Sequence, residues 1–406
     1  MNVKKQIHIE YNFKILSRKL EKQLFPEFFT FELNSKILTM KSLHHVIPVV
    51  LILSLAACTS QPVPSDPKAT PETVNLYRNL LKLQEQGMMF GHEDALAYGI
   101  GWVYEEGRSD VKDVVGDYPA VYGWELGHLE LGDAYSLDSV HFDRIQGWIK
   151  TVYERGGVNT ISWHLRNPLT GGSSWDTSSK EVVKSILPGG EKHEFYKTYL
   201  DKMANFLNGL KTDNGTFIPV IFRPYHEHTG SWFWWGKNLC TVEEYTALWR
   251  FTVDYFQNEK GIHHVLYAYS TDRFTSTEEY LERYPGDDMI NLLGFDLYDR
   301  GPDYLPTMKN CAEMLTALAS EKGKIAAVTE AGGPIAQNHG WWTGVLETLR
   351  PFDLSYFLVW RNPHQPAGHG AFAPYKGSPD SENFKEFYND PKTLFQKEIT
   401  RMNLYQ

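Results

Sequence analysis

Residues 218–236 read Ile218-Pro219-Val220-Ile221-Phe222-Arg223-Pro224-Tyr225-His226-Glu227-His228-Thr229-Gly230-Ser231-Trp232-Phe233-Trp234-Trp235-Gly236. The apolar start of this stretch predicts a buried β-strand. An arginine, two histidines, a glutamate and three tryptophans follow it, and such a cluster serves no obvious packing purpose. We expect a sugar site here, in which a carboxyl group meets a bound ring and indole rings stack on its faces.

Strand-like apolar runs recur from Pro71 onward, and helical patterns lie between them. The predicted strands are Met88–Gly91, Ala120–Glu125, Val158–Leu165, Ile218–Tyr225, Val265–Ser270, Asn291–Tyr298, Ile325–Thr329 and Tyr356–Arg361. The predicted helices include Ser139–Glu154, Lys192–Lys211, Thr241–Gln257, Met308–Glu321 and Thr343–Leu349, and Thr241 with Glu244 matches a capping box. This alternation predicts an α/β fold, a (β/α)8 TIM barrel that forms a single catalytic domain over residues 71–406. A doubly wound open sheet is the alternative, although the Gly-rich phosphate turn of its nucleotide-binding versions is missing.

Polar and aromatic residues gather where six of the predicted strands end. In strand order they are His92, Glu93 and Asp94; His164, Arg166 and Asn167; Arg223, His226, Glu227 and His228; Asp296 and Tyr298; Glu330; and Trp360, Arg361 and Asn362. Because the carboxyl ends of barrel strands form one face, these endings predict an active site there.

Glu227 and Glu330 are the predicted catalytic pair. Two carboxyl groups on facing strands are the minimum equipment for cleaving a glycosidic bond, one as acid and one ionised as nucleophile. Burial near Trp232, Trp234 and Trp235 would raise the pKa of Glu227, which suits the acid. Glu330 would be held ionised if it faces Arg361 or Tyr298, and for a retaining enzyme we expect the two carboxyl groups about 5–5.5 Å apart.

The histidines and tryptophans have alternative interpretations. His226 and His228 could share a strand face and bind a metal, but no zinc-protease pattern is present and we predict no metal site. We expect His226 to position Glu227 or bond a sugar hydroxyl, and His164 to act likewise at the neighbouring subsite. Trp232 and Trp360 are predicted sugar platforms, whereas one of the adjacent Trp234 and Trp235 should be core. Outer subsites or ordinary packing could explain Trp102, Trp163, Trp175, Trp341 and Trp342, of which we assign Trp175 to substrate binding.

The composition excludes some classes of protein. The 406 residues carry a formal charge of −10, which argues against nucleic acid as a partner. Aromatic residues make up 14% of the chain, which fits either a large core or a stacking surface for carbohydrate. We expect a monomer.

The first residues predict export. A charged start at residue 40, a short apolar run and Leu55-Ala56-Ala57-Cys58 form a signal peptide over residues 40–57. The ending resembles the bacterial lipobox, which implies lipidation of Cys58 and a cell-envelope location at the outer membrane, on a face that the sequence leaves open. A plain signal peptide is the alternative. Residues 1–39 are interpreted as a non-native upstream extension before a true start at Met40, and residues 58–70 as a tether.

Cys240 and Cys311 could form a bridge or remain two buried thiols.

Several of these motifs resemble glycoside hydrolase family 26. Arg223 to Glu227 with Gly230 to Gly236 is similar to that family's acid/base signature, Gly91 to Gly99 to its first-strand motif, and Thr329-Glu330-Ala331-Gly332 to its nucleophile strand. Ser162-Trp163-His164, Phe295-Asp296-Leu297-Tyr298 and Val359-Trp360-Arg361-Asn362 follow in the expected order. The resemblance covers roughly residues 72–400.

The resemblance implies retaining chemistry without a cofactor and cleavage of β-1,4-mannan. It implies Glu227 as acid/base, Glu330 as nucleophile, His226 as support for the acid/base and Tyr298 beside the nucleophile. It places His164, Trp232, Asp296, Trp360 and Arg361 at the subsite next to the cleaved bond, and it leaves open whether His364 or His369 adds a contact. The alternatives are another β-glycan, such as mixed-linkage glucan or xylan, and a non-catalytic glycan-binding lipoprotein. Internal cleavage and release of mannobiose from chain ends both remain open.

Overall fold

The computed structural model describes residues 61–333, 340–364 and 370–406. Its strands are β1 (Met88–Glu93), β2 (Tyr98–Gly99), β3 (Trp102–Val103), β4 (Val121–Glu125), β5 (Val158–Trp163), β6 (Val220–Pro224), β7 (Val265–Thr271), β8 (Leu292–Tyr298), β9 (Ile325–Gly332), β10 (Tyr356–Val359) and β11 (Thr393–Leu394). The helices are α1 (Pro71–Gln86), α2 (Asp110–Val115), α3 (Phe142–Glu154), α4 (Val182–Ile186), α5 (His193–Asn208), α6 (Val242–Asp254), α7 (Thr277–Leu281), α8 (Tyr304–Lys322), α9 (Trp341–Leu349), α10 (Ser381–Asn389) and α11 (Gln396–Thr400). The predicted signal peptide, Cys58, residues 1–39 and His369 lie outside the described residues.

A closed parallel barrel organises the chain. Strands β1 and β4 to β10 pair in sequence order, and β10 pairs with β1, which closes the ring. The predicted (β/α)8 barrel is confirmed. The open doubly wound sheet is excluded because its edge strands would not meet. Within the described residues, no helix is long and apolar enough to cross a membrane.

The barrel strands are buried except for Tyr298 at the end of β8, because the barrel interior covers one face and the helices cover the other. All eight predicted barrel strands occur, with ends shifted by a few residues. Helix α6 begins at the predicted capping box: the Glu244 N–H donates to Thr241 Oγ1 at 3.2 Å, and the Thr241 N–H donates to Glu244 Oε2 at 2.9 Å.

Residues 61–70 pack against the barrel, whereas the sequence predicted that they form part of a tether. The Ser65 hydroxyl donates to Asn291 Oδ1 at 3.1 Å, and His263 Nδ1 lies 2.7 Å from Asp66 Oδ2. Asp66 is buried. Since His263 and Asn291 lie within two residues of the starts of β7 and β8, this segment packs on the amino-terminal end of the barrel, opposite the predicted active site.

Candidate active site

A cleft of about 640 Å³ opens at the carboxyl end of the barrel strands. It is lined by Leu137, Asp138, His164, Trp175, Glu227, Trp232, Phe233, Tyr298, Arg300, Glu330, Trp360 and Arg361. Both predicted catalytic glutamates are present, together with six of the eight residues predicted to bind substrate. His226 and Asp296 lie behind the lining, and His364 also lies outside it.

Glu227 has the environment of a proton donor. It follows β6 in a left-handed conformation, with φ of 52°, which is uncommon for a residue with a side chain and occurs mostly at functional positions. Burial raises the pKa of Glu227 well above its usual value, and the charges of Glu330, Asp296 and Asp272 raise it further. A carboxyl group in such surroundings keeps its proton, as an acid catalyst must.

Trp232 adds a directional contact to the acid. Its indole Nε1–H donates to Glu227 Oε2 at 2.7 Å. An indole N–H can only donate, so Glu227 Oε2 is the acceptor in this hydrogen bond. We predicted Trp232 as a sugar platform, and the structure assigns it this second contact.

Glu330 lies in surroundings that stabilise a carboxylate. The Tyr298 hydroxyl donates to Glu330 Oε1 at 2.6 Å, and the Arg223 guanidinium forms an ion pair with Oε2. The contact with Tyr298 was one of two sequence-based expectations. The alternative partner, Arg361, pairs instead with Asp138 at 2.6 Å.

Asp296 was predicted to contact substrate, but the structure buries it behind the cleft. It is fully buried and lies opposite Glu330 in the register of β8 and β9, where the pairing is irregular. Its carboxylate accepts from Arg223 Nη1 at 2.7 Å and from the Thr329 hydroxyl at 2.7 Å. Asp296 therefore supports the cleft through Arg223 instead of lining it.

His226 was predicted to position Glu227 or to bond a sugar hydroxyl, and the structure shows neither contact. It is 1% exposed, and its Nε2 lies 3.0 Å from Nε2 of His164 instead of reaching Glu227 or the cleft. The strand ends at Pro224, and Tyr225 has a φ of 48°, so the strand alternation that the prediction assumed does not continue. His228 packs between the rings of Tyr245 and Tyr269, away from His226. In the part of the chain that the structure describes, no group of three His, Cys, Asp or Glu residues could hold a metal ion.

The tryptophans separate into platforms and core. Trp175 and Trp232 are 48% and 38% exposed and line the cleft with Trp360, as predicted. Both Trp234 and Trp235 are fully buried, although only one was expected in the core. Their indole N–H groups donate to the carbonyls of Leu165 and His226, which lets both be buried without an unpaired donor. Trp102, Trp163, Trp341 and Trp342 are core as well.

Three residues in or behind the cleft were not assigned a role from the sequence: Arg223, Glu125 and Asp138. Arg223 stood in the opening motif, but its position between two carboxylates is a property of the folded barrel. Glu125 is the last residue of a correctly predicted strand, so its position at a strand end was a usable signal. Asp138 lies in the loop before α3, where no pattern marks it. Cys240 and Cys311 are buried free thiols, so the predicted alternative of a bridge does not apply.

Comparison with known proteins agrees with this geometry. The sequence profile of glycosyl hydrolase family 26 matches residues 65–367. The chain belongs to this family. The structure of a family 26 β-mannanase from Bacteroides ovatus is similar with a TM-score of 0.80 and 45% identity, over 83% of this chain and 98% of that chain.

Two curated relatives extend the comparison within family 26. A mannan endo-1,4-beta-mannosidase of Bifidobacterium adolescentis is 33% identical over 359 residues, which cover 81% of this chain and 35% of that protein. A mannan endo-1,4-beta-mannosidase of Bacillus subtilis is 27% identical over 355 residues, which cover 84% of this chain and 94% of that protein. This chain thus spans about a third of the first relative and nearly all of the second.

Proposed function

We propose that this protein is a retaining glycoside hydrolase that cleaves β-1,4-mannosidic bonds in mannan, glucomannan or galactomannan. The observation that carries the proposal is the pair Glu227 and Glu330, which share one cleft but lie in opposite electrostatic surroundings. A protonated acid and an ionised carboxylate are the two groups that double displacement needs. The mannanase relatives support mannan as the substrate.

The reaction proceeds in two steps. Glu330 attacks the anomeric carbon while Glu227 gives its proton to the departing glycosidic oxygen, so a glycosyl–enzyme bond forms as the glycosidic bond breaks. Glu227, now ionised, removes a proton from water, and that water displaces Glu330. Two inversions at the same carbon leave the product with the configuration of the substrate.

Substrate class is tested by reducing-sugar release from galactomannan, lichenan and xylan. We expect galactomannan to be cleaved fastest. Preference for lichenan or xylan would keep the mechanism and overturn the mannan assignment. Absence of release from all three would favour a glycan-binding protein.

Rescue by azide tests the two carboxyl roles. We expect Glu330→Ala to lose activity by more than about a thousandfold. In Glu227→Ala, azide should restore turnover of an aryl β-mannoside and give the β-mannosyl azide, because azide attacks the intermediate without a base and the aryl group departs without an acid. Rescue of Glu330→Ala with a β-azide product would exchange the two roles.

We also propose that the protein is a monomer anchored to the outer membrane through a lipid on Cys58. The lipobox-like sequence and the signal pattern before it support this anchor. Metabolic labelling with an alkyne fatty acid should label the wild type but not Cys58→Ser. Equal labelling of the two would contradict the anchor, and sedimentation of the detergent-free Cys58→Ser chain tests the monomer.

A further inference from the structure

Glu125, at the carboxyl end of β4, has a hydrogen-bonding arrangement that the catalytic steps leave unused. Its side chain is fully buried, and Oε1 accepts from the backbone N–H of Gly127 at 2.6 Å and of His164 at 2.8 Å. Oε2 accepts from the Ser162 hydroxyl at 2.5 Å and lies 2.8 Å from His164 Nδ1. All four contacts are at hydrogen-bonding distance, so the buried Glu125 carboxylate is fully paired.

The backbone around Glu125 leaves no spare room. A Cβ atom added at Gly127 would lie 2.7 Å from Glu125 Oε1 and 2.8 Å from the His164 carbonyl oxygen, so only glycine fits. Burial raises the pKa of Glu125, but the charge and hydrogen bond of His164 and the remaining donors outweigh it and lower the pKa to about 2. The carboxylate is therefore ionised over the whole working range of pH.

His164 uses both ring nitrogens inside the protein. Nδ1 faces the ionised Glu125, and Nε2 faces Nε2 of His226 at 3.0 Å, so one proton must lie between the two rings. Burial and the neighbouring Arg223 lower the pKa of His226 well below its usual value, which leaves that ring neutral. Burial also lowers the pKa of His164, but Glu125 outweighs it and the net pKa is raised. The Glu125 carboxylate on Nδ1 therefore favours the imidazolium form of His164, in which both ring nitrogens donate within the protein.

The free face of the His164 ring lies against a predicted sugar platform. The Trp175 indole is stacked on it, with ring centroids 5.3 Å apart and an interplanar angle of 15°. Trp175 lines the cleft and is 48% exposed, so part of the indole is open to the cleft. A cation against an indole face is attractive, and more so when the pair is shielded from water.

We propose that Glu125 is a positioning residue for substrate: it fixes His164 as a cation, and that cation holds Trp175 in place as a sugar platform. The inference rests on the proposed function only for the identity of the sugar. Its first test needs no substrate, so its failure can be told from failure of the mannanase assignment.

Nitrogen-15 NMR of histidine-labelled protein gives the first test, with His164→Asn to assign the signal. We expect both His164 nitrogens to be protonated near neutral pH in the wild type, and His164 to become neutral in Glu125→Gln. Glu130→Gln is the matched control, because Glu130 is a buried carboxyl group that accepts from Trp163 Nε1 and the Arg166 N–H outside the cleft. A neutral His164 in the wild type, or a neutral His164 in both variants, would overturn the proposal.

A double-mutant cycle on manno-oligosaccharides gives the second test. Glu125→Gln and Trp175→Ala should each raise KM about five- to tenfold with a smaller change in kcat, and the double variant should show no further rise, because both remove the same platform. Glu130→Gln should not change KM. Additive effects of Glu125→Gln and Trp175→Ala would contradict the proposal. If Glu125→Gln does not fold, the wild-type spectrum still tests whether His164 is protonated on both nitrogens. A cycle of His164→Asn with Trp175→Ala then replaces the first cycle, and additive effects on KM would again contradict the proposal.

Discussion

Glu227 has a strained backbone conformation, and one oxygen of its carboxyl group accepts a hydrogen bond from Trp232. A left-handed glutamate persists only where the surrounding structure enforces it, and here the backbone N–H of Glu227 donates to the Ser270 carbonyl at 3.0 Å. The Trp232 indole then donates a hydrogen bond to one oxygen of the carboxyl group. Conformation and protonation of the acid are therefore set by different neighbours and can be changed separately.

Replacing Trp232 with phenylalanine should shift the basic limb of the pH profile upward. The indole hydrogen bond favours the ionised form of Glu227, so its loss raises the pKa of the acid, and the protonated form survives to higher pH. We expect a shift of about 0.5–1 pH unit in kcat/KM for a manno-oligosaccharide, since one unit corresponds to about 1.4 kcal/mol. Trp360→Phe, which also retains an aromatic face in the cleft, is the control and should leave the basic limb in place. A downward shift in Trp232→Phe would contradict the assignment.

At the scale of elements, helix α6 closes the tryptophan-rich loop that follows β6. Its capping box satisfies two backbone donors at the helix start. Arg283 holds the same loop from the other side by donating to the carbonyls of Lys237 and Cys240 at 2.7 and 2.6 Å. The position of Trp232 thus depends on contacts made well outside the cleft.

Loss of the Thr241 cap should weaken the fold without changing the chemistry. Thr241→Ala removes one side-chain acceptor and should lower the free energy of unfolding by about 1 kcal/mol. Thr241→Ser keeps the hydroxyl and should lose much less. Chemical denaturation checks both, and equal stability of the alanine variant and the wild type would refute a contribution from the cap.

The sequence could predict elements better than contacts. Apolar runs and the polar residues at their ends located the barrel strands and the pair Glu227 and Glu330, because both follow from local pattern. The burial of both Trp234 and Trp235 depends on carbonyls supplied by Leu165 and His226, which no local pattern reveals. The roles of Arg223 and Asp296 likewise depend on which strands meet inside the barrel.

At the scale of the whole molecule, the barrel has a catalytic end and a supporting end. Residues 61–70 and the chain's last residues pack near α1 and the amino-terminal ends of the strands, as in the hydrogen bond from Asn79 to the Leu404 carbonyl at 2.9 Å. The contacts at that end stabilise the fold, whereas the cleft with Glu227 and Glu330 lies at the other end.

Removing residues 61–70 should destabilise the protein although they were predicted to be a tether. A chain that begins at Pro71 loses the contacts with His263 and Asn291 and also Thr70, the N-cap of α1, and loss of a helix cap alone costs about 1 kcal/mol. Thermal unfolding of chains that begin at Gln61 and at Pro71 gives the comparison. Equal midpoints would restore the tether interpretation.

The central claim is that Glu227 and Glu330 cleave a β-mannosidic bond by two displacements at one carbon. The most direct measurement is proton NMR of the anomeric signal during the first minutes of manno-oligosaccharide cleavage, before the released sugar equilibrates in water. The account predicts that the β-anomer appears first and the α-anomer only later by mutarotation. First appearance of the α-anomer would show a single displacement and contradict the assignment of Glu330 as the nucleophile.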